Sequence, residues 1–348
     1  MRFAKTCLEA IGYALPETVV SSTELEQRLS PLYGRLHLPE GRLELMSGIV
    51  TRRFWKPGTL PSVASARAGR AALAKAGVAP GEVQCLIHCS VSRDFVEPAT
   101  STAVHRLLGL GHHCLNFDIS NACLGMASGV LMLANMIELG QIDTGLAVCG
   151  ENAGPLVENT VERLNADLTL TRRSVKDQFA SLTIGSCAAA IVVRAQSRSR
   201  TGHRLLAAAN WTDTTANELC QGDANGGMVD GSAPLMATDS QALLHAGVEA
   251  ARQMWEILQA ESGWDADTPD TICTHQVGKA HSRLLFETLG LSPEKDFVTY
   301  PMLGNCGSAS WPVTCAMAEE QGVLHAGTNL ALLGIGSGLN CTGMAVKW

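Results

Sequence analysis

Phe117-Asp118-Ile119-Ser120-Asn121-Ala122-Cys123-Leu124-Gly125-Met126 runs from a short apolar strand straight into a long apolar helix, with a cysteine at the turn. Leu115, Phe117 and Ile119 alternate as a strand does. Leu124 to Leu139 contains no proline, is apolar on nearly every face and stops at Gly140, as a fully buried helix would. A strand feeding a buried helix is the basic unit of an α/β fold, and here it sets Cys123 at a helix N-terminus. Unpaired N–H groups and the positive end of the helix dipole favour thiolate there, by up to ~2 kcal/mol in a partly buried site. Cys123 is therefore the candidate nucleophile. Most of the twelve cysteines are expected to be core filler, since free cysteine is among the most buried residue types. Gly125 and Gly129 cost ~1 kcal/mol each against alanine, which predicts a close approach of backbone or substrate to this helix.

Outward from this stretch, strands are read at Thr6 to Tyr13, Gln84 to Val91, Cys114 to Ile119, Gly145 to Gly150 and Ala188 to Arg194. Helical patterns lie between them at Ala64 to Ala76, Pro98 to Leu108 and Leu124 to Leu139. The alternation then resumes: strands at Arg204 to Trp211, Thr271 to Thr274, Phe297 to Tyr300, Leu330 to Leu333 and Gly343 to Val346, with helices at Ser240 to Gln259, Gly278 to Leu289 and after Gly307. Ile184-Gly185-Ser186 and Ile335-Gly336-Ser337 precede the last strand of each series. The repeat predicts two α/β halves, residues 1–195 and 196–348, with helices covering parallel-rich sheets. Glu151 to Ser181 and Thr212 to Thr238 fit neither half and read as insertions that cover substrate or contact another subunit.

The 348 residues are 46% apolar, enough to bury a large core. Against 33 acidic residues stand 26 Lys and Arg, a net charge of -7 with no basic run, so a nucleic-acid partner is not indicated. Glu9 interrupts the apolar N-terminal run before a signal-peptide core forms, and a cytoplasmic protein with reduced thiols is expected. The cysteine spacings support neither a C-x-x-C redox pair nor a zinc site. Cys85, His88 and Cys89 lie in a strand, where neighbours face opposite ways, and read as core. His112, His113 and Cys114 are a second ligand-like group, and no metal is expected at either. Only the helix after Cys123 approaches the length of a membrane span, and its glycines and Asn135 argue for protein surroundings. No G-x-S-x-G or Walker lysine occurs, and Gly334-Ile-Gly336-Ser-Gly338 leads into a strand, which argues against a dinucleotide loop.

A cysteine nucleophile needs a proton partner. His275 ends the strand Thr271 to Thr274, and Asn305 precedes a helix in Gly304-Asn305-Cys306-Gly307. Both sit at strand-to-helix corners, and in a duplicated fold such corners converge, so the two can meet Cys123.

Cys123, His275-Gln276, Gly304-Asn305 and Gly336-Ser337-Gly338 together resemble the pattern of thiolase-fold condensing enzymes of the ketoacyl synthase III group, over the whole chain. Ser90-Val-Ser-Arg-Asp-Phe-Val-Glu97-Pro98, Asn121-Ala-Cys-Leu124 and Leu332-Leu-Gly-Ile-Gly-Ser-Gly-Leu-Asn-Cys341 resemble the OleA-type thiolases within that group. The resemblance implies a thiolase fold, two βαβαβαββ halves layered α/β/α/β/α. It implies a non-decarboxylative Claisen condensation of two fatty acyl-CoA molecules to a 2-alkyl-3-ketoalkanoic acid, with no cofactor. Cys123 would carry the first acyl group, with its own N–H and that of Gly338 as oxyanion hole. His275 and Asn305 would polarise the second thioester and steady its enolate. Glu97 would remove the α-proton, reaching across a dimer interface. Some relatives divide the cysteine and the glutamate between unlike subunits; this chain carries both, which favours a homodimer. Enzymes of an olefin or β-lactone pathway are the implied downstream partners. The rival readings are a decarboxylative 3-oxoacyl-ACP synthase III fed by a malonyl thioester and a thiolase-fold acyltransferase. In the first, Glu97 would be only a helix-capping or ion-paired carboxylate before Pro98.

Overall fold

A computed structural model of the chain describes residues 1–222 and 235–348. Nine strands form one mixed sheet: β1 (Thr6–Ala14), β2 (Cys85–His88), β3 (Leu115–Asp118), β4 (Thr144–Glu151), β5 (Cys187–Ala195), β6 (Arg204–Thr212), β7 (Thr271–Thr274), β8 (Asn329–Gly336) and β9 (Asn340–Lys347). Their spatial order is β7-β8-β9-β6-β1-β5-β4-β2-β3. The duplication is visible in that order. Outward from the centre, β1-β5-β4-β2 on one side is matched by β6-β9-β8-β7 on the other, and only the pair Cys7 and Arg204 joins β1 to β6.

Residues alternate between two cores along each strand. Ile87, Ile191, Val193, Leu330 and Leu332 face a central core, which also holds residues of both halves' inner helices, α3 (Gly125–Glu138) and α6 (Ser310–Glu320). Leu86, Ala190 and Val192 face the opposite way onto α1 (Pro61–Ala76) and α2 (Thr100–Leu108). Ala331 and Leu333 do the same toward α4 (Ser240–Ser262) and α5 (Lys279–Leu289). The layers run α/β/α/β/α, and strands buried on both faces explain the near-continuous apolar runs.

Three expectations need correction. The sheet is not parallel-rich: β2 pairs parallel with β3 and β4, and β7 with β8, while the other five pairings are antiparallel. The last connection shows why. Only Ser337 to Leu339 separate β8 from β9, and so short a link can join only antiparallel neighbours. No strand forms at Phe297 to Tyr300. Phe297 N–H donates to the Ile272 carbonyl, but the Gln276 side chain then takes Phe297 O and the N–H groups of Thr299 and Tyr300, and the chain turns into a helix at Tyr300–Leu303. Finally, α2 starts at Thr100 rather than Pro98, because Asp118 at the end of β3 accepts from the N–H groups of Thr100 and Ser101, both at 2.8 Å.

A smaller core caps these layers, packing Leu25, Leu29, Leu32 and Leu43 against Val157, Val161, Leu164 and Phe179. The segment from Gly154 onward thus forms a cap; Glu151, counted with it from the sequence, instead ends β4. Within Thr212 to Thr238, residues 223–234 lie outside the described residues. Among the described residues no helix is long and apolar enough to cross a membrane, and all twelve cysteines are free.

Candidate active site

The chain leaves β3 at Asp118 and enters α3 through a single tight turn, Ala122–Leu124, so the reading of a strand running into a buried helix holds. Ala122 takes φ +44, a left-handed conformation unusual for a residue with a Cβ. Such a conformation costs of order 1 kcal/mol or more and persists where neighbours hold it. Asn121 is among them: its Nδ2 donates to Ser128 Oγ at 2.9 Å and its Oδ1 accepts from Asn340 at 3.3 Å. The close approach predicted at Gly125 and Gly129 is real, and the approaching group is protein. A Cβ on Gly125 would lie 2.0 Å from the Cys89 carbonyl oxygen, and one on Gly129 2.4 Å from Cys89 Sγ. The cysteine turn is thereby pressed onto the strand exit of β2.

Cys123 lines a cavity of about 1270 Å³ shared with His275 and Asn305, so the structure brings these three together. Its thiol is not acidic, contrary to the helix-dipole expectation. Burial, and then the Glu151 carboxylate and Cys220, push it up to about 12, outweighing the lowering by its own N–H. At neutral pH the resting group is the thiol.

His275 follows β7 and is buried, and burial lowers its pKa, so the imidazole stays neutral. Its Nε2 lies 3.1 Å from Asn305 Oδ1, which also accepts from Gly307 N–H at 3.0 Å. That second bond identifies Oδ1 as the acceptor, so Nε2 of His275 carries the hydrogen and Nδ2 of Asn305 remains a donor. The Asn305 backbone is clamped on both sides, its N–H donating to Thr183 O at 3.0 Å and its carbonyl accepting from Gly185 N–H at 2.9 Å. Gly304 makes this possible: at φ +68 it lies so near Thr183 that a Cβ would sit 2.6 Å from that carbonyl.

Gly338 lies in the turn between β8 and β9, at φ +129; Gly336, Ser337 and Leu339 line the cavity, while Gly338 itself does not. Glu97 is exposed, lies outside the cavity of its own chain and makes no hydrogen bond or ion pair among the described residues. It does not cap α2, a role that Asp118 fills. Phe95 and Val96 beside it are also exposed, at 59% and 67%. His88 is buried beside Ser90 and Asp118, and no cluster of three or more His, Cys, Asp or Glu side chains that could hold a metal ion occurs among the described residues.

The sequence reading missed Glu151, a buried carboxylate in the cavity wall. One acid ending a strand carries no signal in sequence; the partners of its carboxylate come from two distant segments. Leu156 and Phe179 of the segment read as an insertion line the wall, together with Leu43 and Met46 from outside it.

Residues 62–221 match the thiolase N-terminal domain, and residues 259–348 match the C-terminal domain of 3-oxoacyl-[acyl-carrier-protein] synthase III. An acyl-CoA:acyl-CoA alkyltransferase of Shewanella oneidensis is 38% identical over the full length of both chains. One of Xanthomonas campestris is 33% identical, again over 100% of each. Among solved structures, a cysteine-to-serine variant of Xanthomonas campestris OleA with bound lauric acid and lauroyl-CoA matches with TM-score 0.93 and 33% identity, covering 99% of this chain and 100% of that one. The cerulenin-bound form of that protein matches with TM-score 0.94, covering 100% and 98%.

Proposed function

The chain belongs to the acyl-CoA:acyl-CoA alkyltransferases, condensing enzymes of the thiolase fold, and from that premise we propose how its own residues carry the reaction. The reaction is a non-decarboxylative Claisen condensation of two fatty acyl-CoA molecules through a cysteine thioester. Cys123 attacks the first thioester and becomes acylated, the thiol proton going to the CoA sulfur, which leaves as the free thiol. We assign the oxyanion to the N–H groups of Cys123 and Gly338; both chain neighbours of Gly338, Ser337 and Leu339, line the cavity, and the Asn121 to Asn340 bond ties the two turns together.

For the second half, Nε2–H of His275 and Nδ2–H of Asn305 polarise the carbonyl of the second acyl-CoA and hold its enolate oxygen. Glu97 takes the α-proton. The carbanion attacks the Cys123 thioester, the carbon–carbon bond forms and the Cys123 sulfur leaves, taking back a proton. Hydrolysis of the remaining CoA thioester yields the 2-alkyl-3-ketoalkanoic acid and free CoA. Glu97 lies outside its own chain's cavity, so we assign it to the site of a second copy in a homodimer. The product, a long-chain β-keto acid, suits a downstream enzyme that acts on such acids, in an olefin or β-lactone pathway.

The observation that carries the assignment is the meeting of Cys123, His275 and Asn305 on one large cavity. Incubation with one defined saturated acyl-CoA and mass analysis of the product tests it. Expected is a product holding two acyl chains and no malonyl-derived carbon. Free fatty acid as the sole product would mean a thioesterase and overturn the reading.

A further inference from the structure

Glu151 ends β4 inside the cavity wall, and its carboxylate gathers four donors from two other segments. Oε1 accepts from Val91 N–H at 3.0 Å and from Ser308 Oγ at 2.6 Å. Oε2 accepts from Ser92 N–H at 3.2 Å and Ser92 Oγ at 3.1 Å. Ser308 belongs to the turn that carries Asn305, and Val91 and Ser92 open the loop that carries Glu97. Gly307 lies against the same side chain, where a Cβ would be 3.3 Å from Glu151 Cδ. Glu151 makes no ion pair among the described residues; the ionisable groups that feel its charge are the thiols of Cys89, Cys123, Cys149 and Cys187.

We propose that Glu151 is a positioning residue for the condensation step, its carboxylate holding the Asn305 turn and the Glu97 loop in register around Cys123. A carboxylate is required because all four partners donate. Glutamine at this site has one acceptor oxygen, and its NH₂ would face the N–H of either Val91 or Ser92, leaving that donor without its acceptor. The carboxylate's charge also acts on Cys123, which gives the role a signature that loosened packing lacks.

The proposal rests on Cys123 being the acylated nucleophile, and the experiment separates the two. Wild type and Glu151→Gln are compared in formation of the acyl-Cys123 adduct, in condensation, and in alkylation of Cys123 by iodoacetamide across pH. Glu151→Gln is expected to slow condensation about 10-fold or more relative to acylation, while alkylation of Cys123 near neutral pH becomes faster, its pH curve moving to lower pH. Equal loss of both half-reactions with an unmoved alkylation curve, or no change in any of the three, overturns the proposal. Should Glu151→Gln not fold, Ser92→Ala and Ser308→Ala each remove one donor from one oxygen; each is expected to lower the ratio of condensation to acylation, and an unchanged ratio in both overturns it. If the wild type forms no adduct on Cys123, the proposed function fails and this proposal with it; an adduct formed normally with an unchanged ratio of condensation to acylation in Glu151→Gln overturns this proposal alone.

Discussion

At the residue scale the proposed chemistry turns on two neutral groups, a thiol held up to about 12 and an imidazole kept uncharged by burial. The thiolate is the reactive form, so a raised pKa means that its fraction keeps growing through the alkaline range. Alkylation of Cys123 is therefore expected to rise continuously with pH past 9, without the plateau that a thiol of pKa about 8.5 shows; saturation near pH 8 contradicts this. For His275 the sign is opposite. Its neutral form persists below the ordinary histidine value of about 6.5, so loss of rate from its protonation is expected only on the acid side of that value. Cys123→Ala is expected to abolish the acyl adduct, and an undiminished adduct on another cysteine would remove the assignment. His275→Ala and Asn305→Ala are expected to slow carbon–carbon bond formation by about 100-fold or more, and more than acylation, as read in single-turnover measurements.

At the scale of elements, the site is made where the ends of several elements are held against one another. Cys123 sits between two such contacts. On one side Gly125 and Gly129 admit the end of β2; on the other, Leu124 packs against Gly334 and Gly336 of β8, where a Cβ would lie 2.5 Å and 3.0 Å from its side chain. Gly125→Ala forces its Cβ onto a backbone carbonyl, which cannot rotate away as a flexible side chain can. It is expected to destabilise the fold by several kcal/mol or prevent soluble expression, with urea unfolding as the measure. Leu124→Ala leaves a cavity instead and is expected to cost about 2–5 kcal/mol. Asp118 is a different device, a carboxylate at the end of β3 that caps α2 from outside that helix. Asp118→Ala is expected to cost about 1–2 kcal/mol by the same measure, and a change below a few tenths would show the cap to be idle.

At the scale of the molecule, duplication gives the chain two sets of strand ends and a cavity between them, lined by Cys123 from the first half and by His275 and Asn305 from the second. Glu97 is what a single copy does not deliver to its own cavity. Mixing inactive Cys123→Ala with inactive Glu97→Gln under conditions of subunit exchange is expected to restore part of the activity, since one hybrid site would hold an intact thiol and an intact carboxylate. No recovery in demonstrated heterodimers would return Glu97 to the site of its own chain.

Much of this was legible without coordinates, because the information is local. The apolar alternation of Leu115, Phe117 and Ile119, the buried helix behind Cys123 and the corner positions of His275 and Asn305 depend on neighbours within a few residues, and strand and helix periods read them directly. What the linear chain could not show depends on distant partners. The strand expected at Phe297 to Tyr300 yields to the side chain of Gln276, the start of α2 is set by Asp118 on another strand, and the antiparallel majority of the sheet follows from how its strands meet. The Cys123 thiol was misjudged for the same reason. The helix N-terminus that lowers its pKa is visible in sequence, whereas the burial and the Glu151 charge that outweigh it exist only once β4 lies beside the turn.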